Sequence, residues 1–353
     1  MLEVNMSLSI IGTRFDITDP WGRQEHYIVD SVIEQIKKKF KDQKNILITM
    51  TWFGPQFKNN EWKKLQQLIE SNNTYDNLFW LAPVDPLCIL PDEIKKIESE
   101  LKIQNAFYIG TGFSGDYEFN TGSISCYDEF PHYSTQDLLL TNPDHLFLCY
   151  NRKPKPHRIQ LVEKIYNNNL ENYGISTLGK DDVDYNVTEG LTTDLFLKID
   201  DDPKKYSKYT NFGGVPYDLL SLGRLDIWQK HFLNIVSETE FNPWDNTFVT
   251  EKTWKPIIGL RPFVLNAQVQ VYQWLRDRGF KTFNHRWADI KLENIPEYEV
   301  HDSIVKVVKH LVALDKNQLM QMYQDMLPDL IYNRERFFNF AEEQKYKIDN
   351  LFV

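Results

Sequence analysis

Between residues 248 and 264 the chain reads FVTEKTWKPIIGLRPFV. Thr250, Glu251, Lys252 and Lys255 fall within six positions at the head of a helical pattern, and an apolar run follows. Thr250 suits a helix N-cap, and a carboxylate at 251 suits the positive end of the helix dipole. Lys252 does not, because a cation in the first turn opposes that dipole. It makes sense if an anion shares the site, since helix N–H groups and a lysine together bind phosphate. A carboxylate beside it then accepts hydrogen bonds from sugar hydroxyls. The plain alternative is a solvated first turn.

A second basic group is NRKPKPHR at 151–158, which places Arg152, Lys153, Lys155, His157 and Arg158 between a strand pattern and a helix pattern. A solvated loop explains it too. In a chain of net charge −10, however, a basic cluster at a strand end points to an anionic client, and arginine suits bidentate phosphate contact.

These residues need a scaffold. Short apolar strand patterns alternate with helices: helix over 27–42, strand over 45–53, helix over 61–71, strand over 78–86, helix over 92–103, strand over 105–110. Residues 111–144, rich in Gly, Ser, Thr and aromatics, read as long loops near the mouth of a site. A second series begins near 145, with strands at 145–151 and 173–179 around a helix at 156–169. Residues 180–225 are the least regular. Then come a helix at 224–231, strands at 232–240 and 261–267, a helix at 270–279, a short strand at 280–283 and helices over 303–314 and 316–344. Pro328 is expected to kink or split the last of these. Alternation of this kind predicts parallel sheets. Ligands then sit outside the C-terminal strand ends, beside helix N-termini. At roughly 150 residues per domain, 353 residues suit two domains, 1–143 and 144–353, with the last helix packing back on the first.

The composition is that of a globular protein, 42% apolar and 25% charged. Aromatics make up 14%, enough for a large core and for rings that line a site. The negative charge and a pI of about 5.4 count against non-specific nucleic-acid binding. Apolar runs are too short for a membrane span, and the start lacks a signal peptide pattern. Cys88, Cys126 and Cys149 form no CxxC pair, so a reducing, cytoplasmic setting fits.

The stretch VTEKTWKPIIGLRPFV, followed by an αβ unit, resembles the donor-binding segment of GT-B glycosyltransferases, above all the fucosyltransferase type. Phage and giant-virus proteins of related kind also carry a TEK…KPI segment, which would put the chain in the host cytoplasm. The resemblance is strongest over 248–283 and weaker over 145–170; over the first 140 residues it is architectural. It implies two Rossmann-like domains facing a cleft, with C-terminal helices. Glu251 would contact the donor's ribose or sugar, Lys252 the diphosphate, and Arg158 would be the family's phosphate-binding arginine. Arg152, Ser237 and Thr250 complete the donor-side candidates. Lys255-Pro256 and Gly259-Leu260-Arg261 depart from the family's pattern.

The implied chemistry is transfer of a sugar from a nucleotide-sugar donor to a glycan or other hydroxyl acceptor. Charge developing on the leaving diphosphate is stabilised by Arg, Lys and helix N–H groups, with no metal or other cofactor required. Inverting transfer needs one general base. Candidates are Asp116, Glu118, Asp128, Glu129 and His132, with Glu129 and Asp116 favoured.

Rival readings keep part of this. KIDDDP at 198–203 offers Asp200 and Asp202 as a metal-binding pair, although Asp-rich turns are common. IGTGFSGD at 109–116 is a Gly-rich turn without the GxGxxG fingerprint. The acceptor could instead be a hydroxymethylated DNA base, which salt-sensitive DNA binding would reveal. A non-catalytic carbohydrate- or protein-binding module would also use the aromatic excess, but it leaves Lys252 unexplained.

Overall fold

A computed structural model describes residues 8–12, 20–49, 59–71, 73–83, 91–111, 117–151, 154–178, 220–241 and 247–353. Asp116, Arg152, Lys153, Asp200, Asp202 and Cys88 lie outside the described residues. The chain divides into two compact units, Met1–Asp128 with Ala341–Val353, and Glu129–Phe340. Both are α/β, each built on an all-parallel, Rossmann-like sheet.

In the first unit, strands β1 (Leu8–Ile11), β2 (Asn45–Thr49), β3 (Tyr75–Ala82), β4 (Ile103–Thr111) and β5 (Tyr117–Phe119) lie side by side in chain order. Alternate residues of each strand feed opposite faces, as the strand period dictates. One face presents Leu47, Phe79, Leu81 and Ile109 to helix α1 (Pro20–Lys39), whose Ile28, Val29, Val32 and Ile36 recur at helical spacing. Phe79 and Phe107 stack there with centroids 4.8 Å apart, and Phe352 meets Phe79 edge-on. The other face presents Ile46, Ile48, Leu78 and Trp80 to Leu65 of α2 (Asn59–Glu70) and to Ile94 and Ile97 of α3 (Pro91–Glu100).

Where long loops are expected, the chain instead forms β5, helix α4 (Thr121–Glu129) and the single turn α5 (Thr135–Leu138). Residues 121–126 of α4 are all buried although Thr121, Ser123 and Ser125 among them are polar, so polarity does not follow exposure here and no amphipathic period marks the helix.

In the second unit, β6 (His145–Cys149), β7 (Gly174–Ser176), β8 (His231–Ser237) and β9 (Phe263–Asn266) are ordered β7-β6-β8-β9. The order reverses between β6 and β8, a topological switch point outside whose carboxyl ends a crevice is expected. Helices α6 (Pro156–Asn167), α7 (Leu225–Trp228), α8 (Glu251–Ile258), α9 (Val271–Asp277), α10 (Glu297–Val312) and α11 (Lys316–Asp349) complete the described α-helices. Trp254 of α8 is fully buried among Trp274, Phe280, Phe337 and Phe340, with centroids 5.3–6.2 Å away.

One local expectation fails, and so does one alternative of a second. Residues 280–283 form no strand: Phe280 and Phe283 are buried by packing on Trp254 and Phe263. Pro328 does not split α11, which runs unbroken for 34 residues. Pro328 and Gln324 are both exposed, so the proline falls on the solvent side of the helix, where a carbonyl without its N–H donor costs least. Among the described residues no helix is long and apolar enough to cross a membrane.

Candidate functional site

The strand ends at the switch point carry the basic residues singled out above. Helix α6 starts just beyond β6 with Pro156 at its first position, which presets the backbone where an N–H has no partner to lose. Helix α8 follows β8, with Thr250 in extended geometry as its N-cap. The turn after β8, Glu238 to Phe241, lies between them and gathers their side chains.

Glu238 organises this turn. It is fully buried. One carboxylate oxygen accepts from the Thr250 amide at 3.1 Å and from the Thr253 hydroxyl at 2.6 Å. The other accepts from the Thr250 hydroxyl at 2.6 Å and from the Thr239 amide at 3.1 Å. Its backbone carbonyl accepts from Arg158 Nη2 at 2.8 Å and meets His157 Nε2 at 3.0 Å. One glutamate thus ties the starts of α6 and α8 to the end of β8.

Three cations surround the same turn. Lys155 Nζ donates to the Thr239 carbonyl at 2.7 Å and to Glu240 at 2.9 Å. Lys252 Nζ donates to the Thr239 hydroxyl at 3.1 Å and to Glu251 at 2.6 Å. Arg158 is the third and is buried. Burial lowers the Lys155 ammonium below its ordinary range; Glu240 opposes this, and the charges of Arg158 and Lys252 add to it. For Glu251, burial pushes the carboxyl up, but the charges of Lys252 and Lys255 and the hydrogen bond from Lys252 outweigh it, leaving it below the ordinary range.

The solvent-facing part of the network is more cationic than anionic. The side chains of Lys155 and Lys252 are 33% and 26% exposed, against 21% for Glu240 and 4% for Glu251. An anion arriving here meets two ammonium groups first.

The helix amides behave differently from expectation. The Thr250 amide is bonded to Glu238, the Lys252 amide to the Thr250 hydroxyl at 3.4 Å, and the Glu251 carboxylate takes its own amide. The first turn of α8 is therefore capped from within, and the groups left for an anion are side-chain cations. Glu238 was missed in the sequence, although an acidic SETE directly after an apolar strand was there to read.

Ser237 is buried, and its hydroxyl accepts from Asn266 Nδ2 at 3.2 Å; it supports the strand ends. Cys149, beneath the site, is no nucleophile: burial raises its thiol to about 11. Outside this unit's network, Glu129 is half-buried at the end of α4, Glu118 is half-buried on β5, and His132 is exposed. Asp128 is exposed and paired with Lys345 at 2.7 Å.

No family model matches this chain. No curated protein matches it. Among solved structures, the chain is similar to the crystal structure of an alpha,alpha-trehalose-phosphate synthase (UDP-forming) from Burkholderia vietnamiensis. The two share 11% identity at a TM-score of 0.28, over 91% of this chain and 70% of that one. A likeness of that size carries no argument, and the α/β assignment rests on the sheet order described above.

Proposed function

We propose that the cluster around the 238–241 turn holds the diphosphate of a nucleotide sugar, and that the protein is a GT-B glycosyltransferase. The observation that carries this is the convergence of Lys155, Arg158 and Lys252 on one turn at the switch point of a parallel sheet. In the network described, Lys155 and Lys252 are paired with Glu240 and Glu251, and a diphosphate would compete with those carboxylates for the two ammonium groups. Lys252 and Lys155 turn from their carboxylates to the phosphates, and Arg158 supports them from below. Their fixed charge stabilises the negative charge that grows on the leaving group as the sugar departs. In this reading Glu251 positions the Lys252 ammonium in addition to reaching the donor's ribose or sugar.

The finer reading is a fucosyltransferase-like, metal-independent, inverting transfer to a hydroxyl, with Glu129 or Asp116 as the base. It rests on the TEK…KPI resemblance and on the chemistry of the cluster.

The test is a thermal-shift and calorimetric screen of GDP, UDP, ADP and CMP, and of their sugar conjugates, with and without EDTA. A nucleotide at about 100 times its Kd raises stability by roughly 2.7 kcal/mol. Binding of one nucleoside diphosphate, unaffected by EDTA and weakened in Lys155→Ala, is the expected result. If none of these ligands binds the wild-type protein, the reading fails.

A further inference from the structure

We propose that a separate cavity between α6 and α10, in the same unit, is a binding site for a neutral sugar residue. The cavity holds about 550 Å³, within the range of roughly 300–1,000 Å³ common for small-ligand sites. It stands independently of the nucleotide reading.

The wall chemistry selects the class of ligand. Gln160, Glu163 and Asn167 line it from α6, at spacings that put them on one helix face. Glu297 and Tyr298 line it from the first turn of α10. Among the described residues of the wall, the one lysine or arginine, Lys164, is paired with Asp302 across the two helices. Glu297 adds a negative charge to the wall, which disfavours a phosphate or carboxylate ligand.

Planar amides and carboxylates are the groups that take pairs of hydroxyls, because each offers two polar atoms in one plane. Oε1 of Glu297 is buried and has no hydrogen-bond partner among the described residues. A buried acceptor in that state costs free energy unless a donor arrives, and a sugar hydroxyl is such a donor. Burial also raises this carboxyl above its ordinary range, which suits a hydroxyl better than an amine.

The aromatic groups argue against a flat nucleobase. Phe241 in the lining already stacks with His157 and with His301, each 5.2 Å away and nearly parallel, which commits its ring to contacts within the protein. Tyr298, 75% exposed at the rim, offers a single ring. A sugar needs only one, since it stacks its C–H face and turns its hydroxyls the other way.

Saturation-transfer NMR and titration on the full chain test this, with methyl α-glucoside, methyl β-galactoside and methyl α-mannoside as probes and benzylamine as a cationic control. Gln160 and Tyr298 are exposed, so Gln160→Ala and Tyr298→Ala keep the fold. At least one glycoside is expected to bind, with Kd raised about threefold to tenfold in Tyr298→Ala, the size of a lost aromatic contact, and raised also in Gln160→Ala. The proposal is overturned if no glycoside binds, if both variants bind like the wild type, or if benzylamine alone saturates. Because the probes carry no phosphate, failure here leaves the nucleotide reading intact, and failure of the nucleotide screen leaves this site intact.

Discussion

The ammonium of Lys252 lies 2.6 Å from Oε1 of Glu251, the residue directly before it. Neighbours in a helix do not face each other, so the contact exists only because Lys252 folds back over the N-cap, where its Nζ also reaches the Thr250 hydroxyl at 3.3 Å. The lysine that opposes the helix dipole is tolerated because a buried carboxylate sits under it. That carboxylate holds the charge where an arriving diphosphate would find it.

Lys252→Ala should therefore destabilise the protein by removing the nearer of the two lysine charges that hold Glu251 ionised, at a cost below the roughly 3–5 kcal/mol of a fully unpaired buried charge because Lys255 remains. The double variant Glu251→Gln, Lys252→Ala should recover much of that loss. The folded-state value of Glu251 lies below its ordinary 4.5. Its contribution is thus present above that pH and lost as pH falls through the folded value. Urea unfolding at neutral pH reads the cycle, and equal midpoints for wild type and Lys252→Ala would remove the pair from the account.

Arg261, in the same stretch, should be as sensitive as any residue outside the site. Its guanidinium is fully buried and donates to the carbonyls of His231, Leu138, Leu260 and Trp228 at 2.7–2.9 Å. Burial brings it down to about 10, still charged at neutral pH. Arg261→Lys loses the planar fork, and Arg261→Met leaves buried carbonyls unpaired at about 1–3 kcal/mol each. Both variants should unfold at much lower urea, with Met the worse. A near-neutral Arg261→Met would show that these carbonyls find other donors.

Gly259→Ala tests a close approach in the same stretch. An added Cβ would stand 2.3 Å from Cζ2 of Trp228, whose indole N–H donates to the Gly259 carbonyl at 2.8 Å. Trp228 is buried and has no room to retreat. A loss of about 1–3 kcal/mol is expected, read by thermal or urea unfolding. An unchanged midpoint would mean that the indole has space to move.

Seven of the nine described strands and most helices were legible in the sequence from local patterns such as Ile28 to Ile36 on α1 and the apolar runs of β2 and β8, while the short β1 and β5 were not. Thr250 was legible as a cap for the same reason, since capping is local. Helix α4 was not, because its buried residues include polar ones, which erases the period. Within the site, the sequence marked Lys252 by its odd placement, Glu251 by its position beside it, and Lys155 and Arg158 by their clustering in an acidic chain. It could not show that Lys252 pairs with its own neighbour, nor that Glu238 satisfies the first turn of α8. Those facts depend on β8 and α8 meeting in space, twelve residues apart between Glu238 and Thr250. Arg261, read as a departure from a family pattern, is instead a buried strut.

Acid should loosen the second unit through its buried histidines, His157, His301 and His231, the last held well below its ordinary value by burial. Burial, then the Arg158 charge, brings His157 down to about 3; burial, then the Lys164 charge, brings His301 down to about 4. Both start from an ordinary 6.5, so the unfolded chain binds these protons more readily than the folded one. Stability from this source is complete above about pH 6.5 and is lost progressively as pH falls towards 4 and 3. Each pH unit between the ordinary and folded values is worth about 1.4 kcal/mol. Opposing charges are few: Asp302 faces His301 but is paired with Lys164. The urea midpoint should fall between pH 7 and pH 4 more steeply in wild type than in His301→Gln, which keeps a side-chain donor for Asn266 Oδ1, now 2.9 Å from His301 Nε2. Parallel curves for the two proteins would show that His301 carries none of the acid sensitivity.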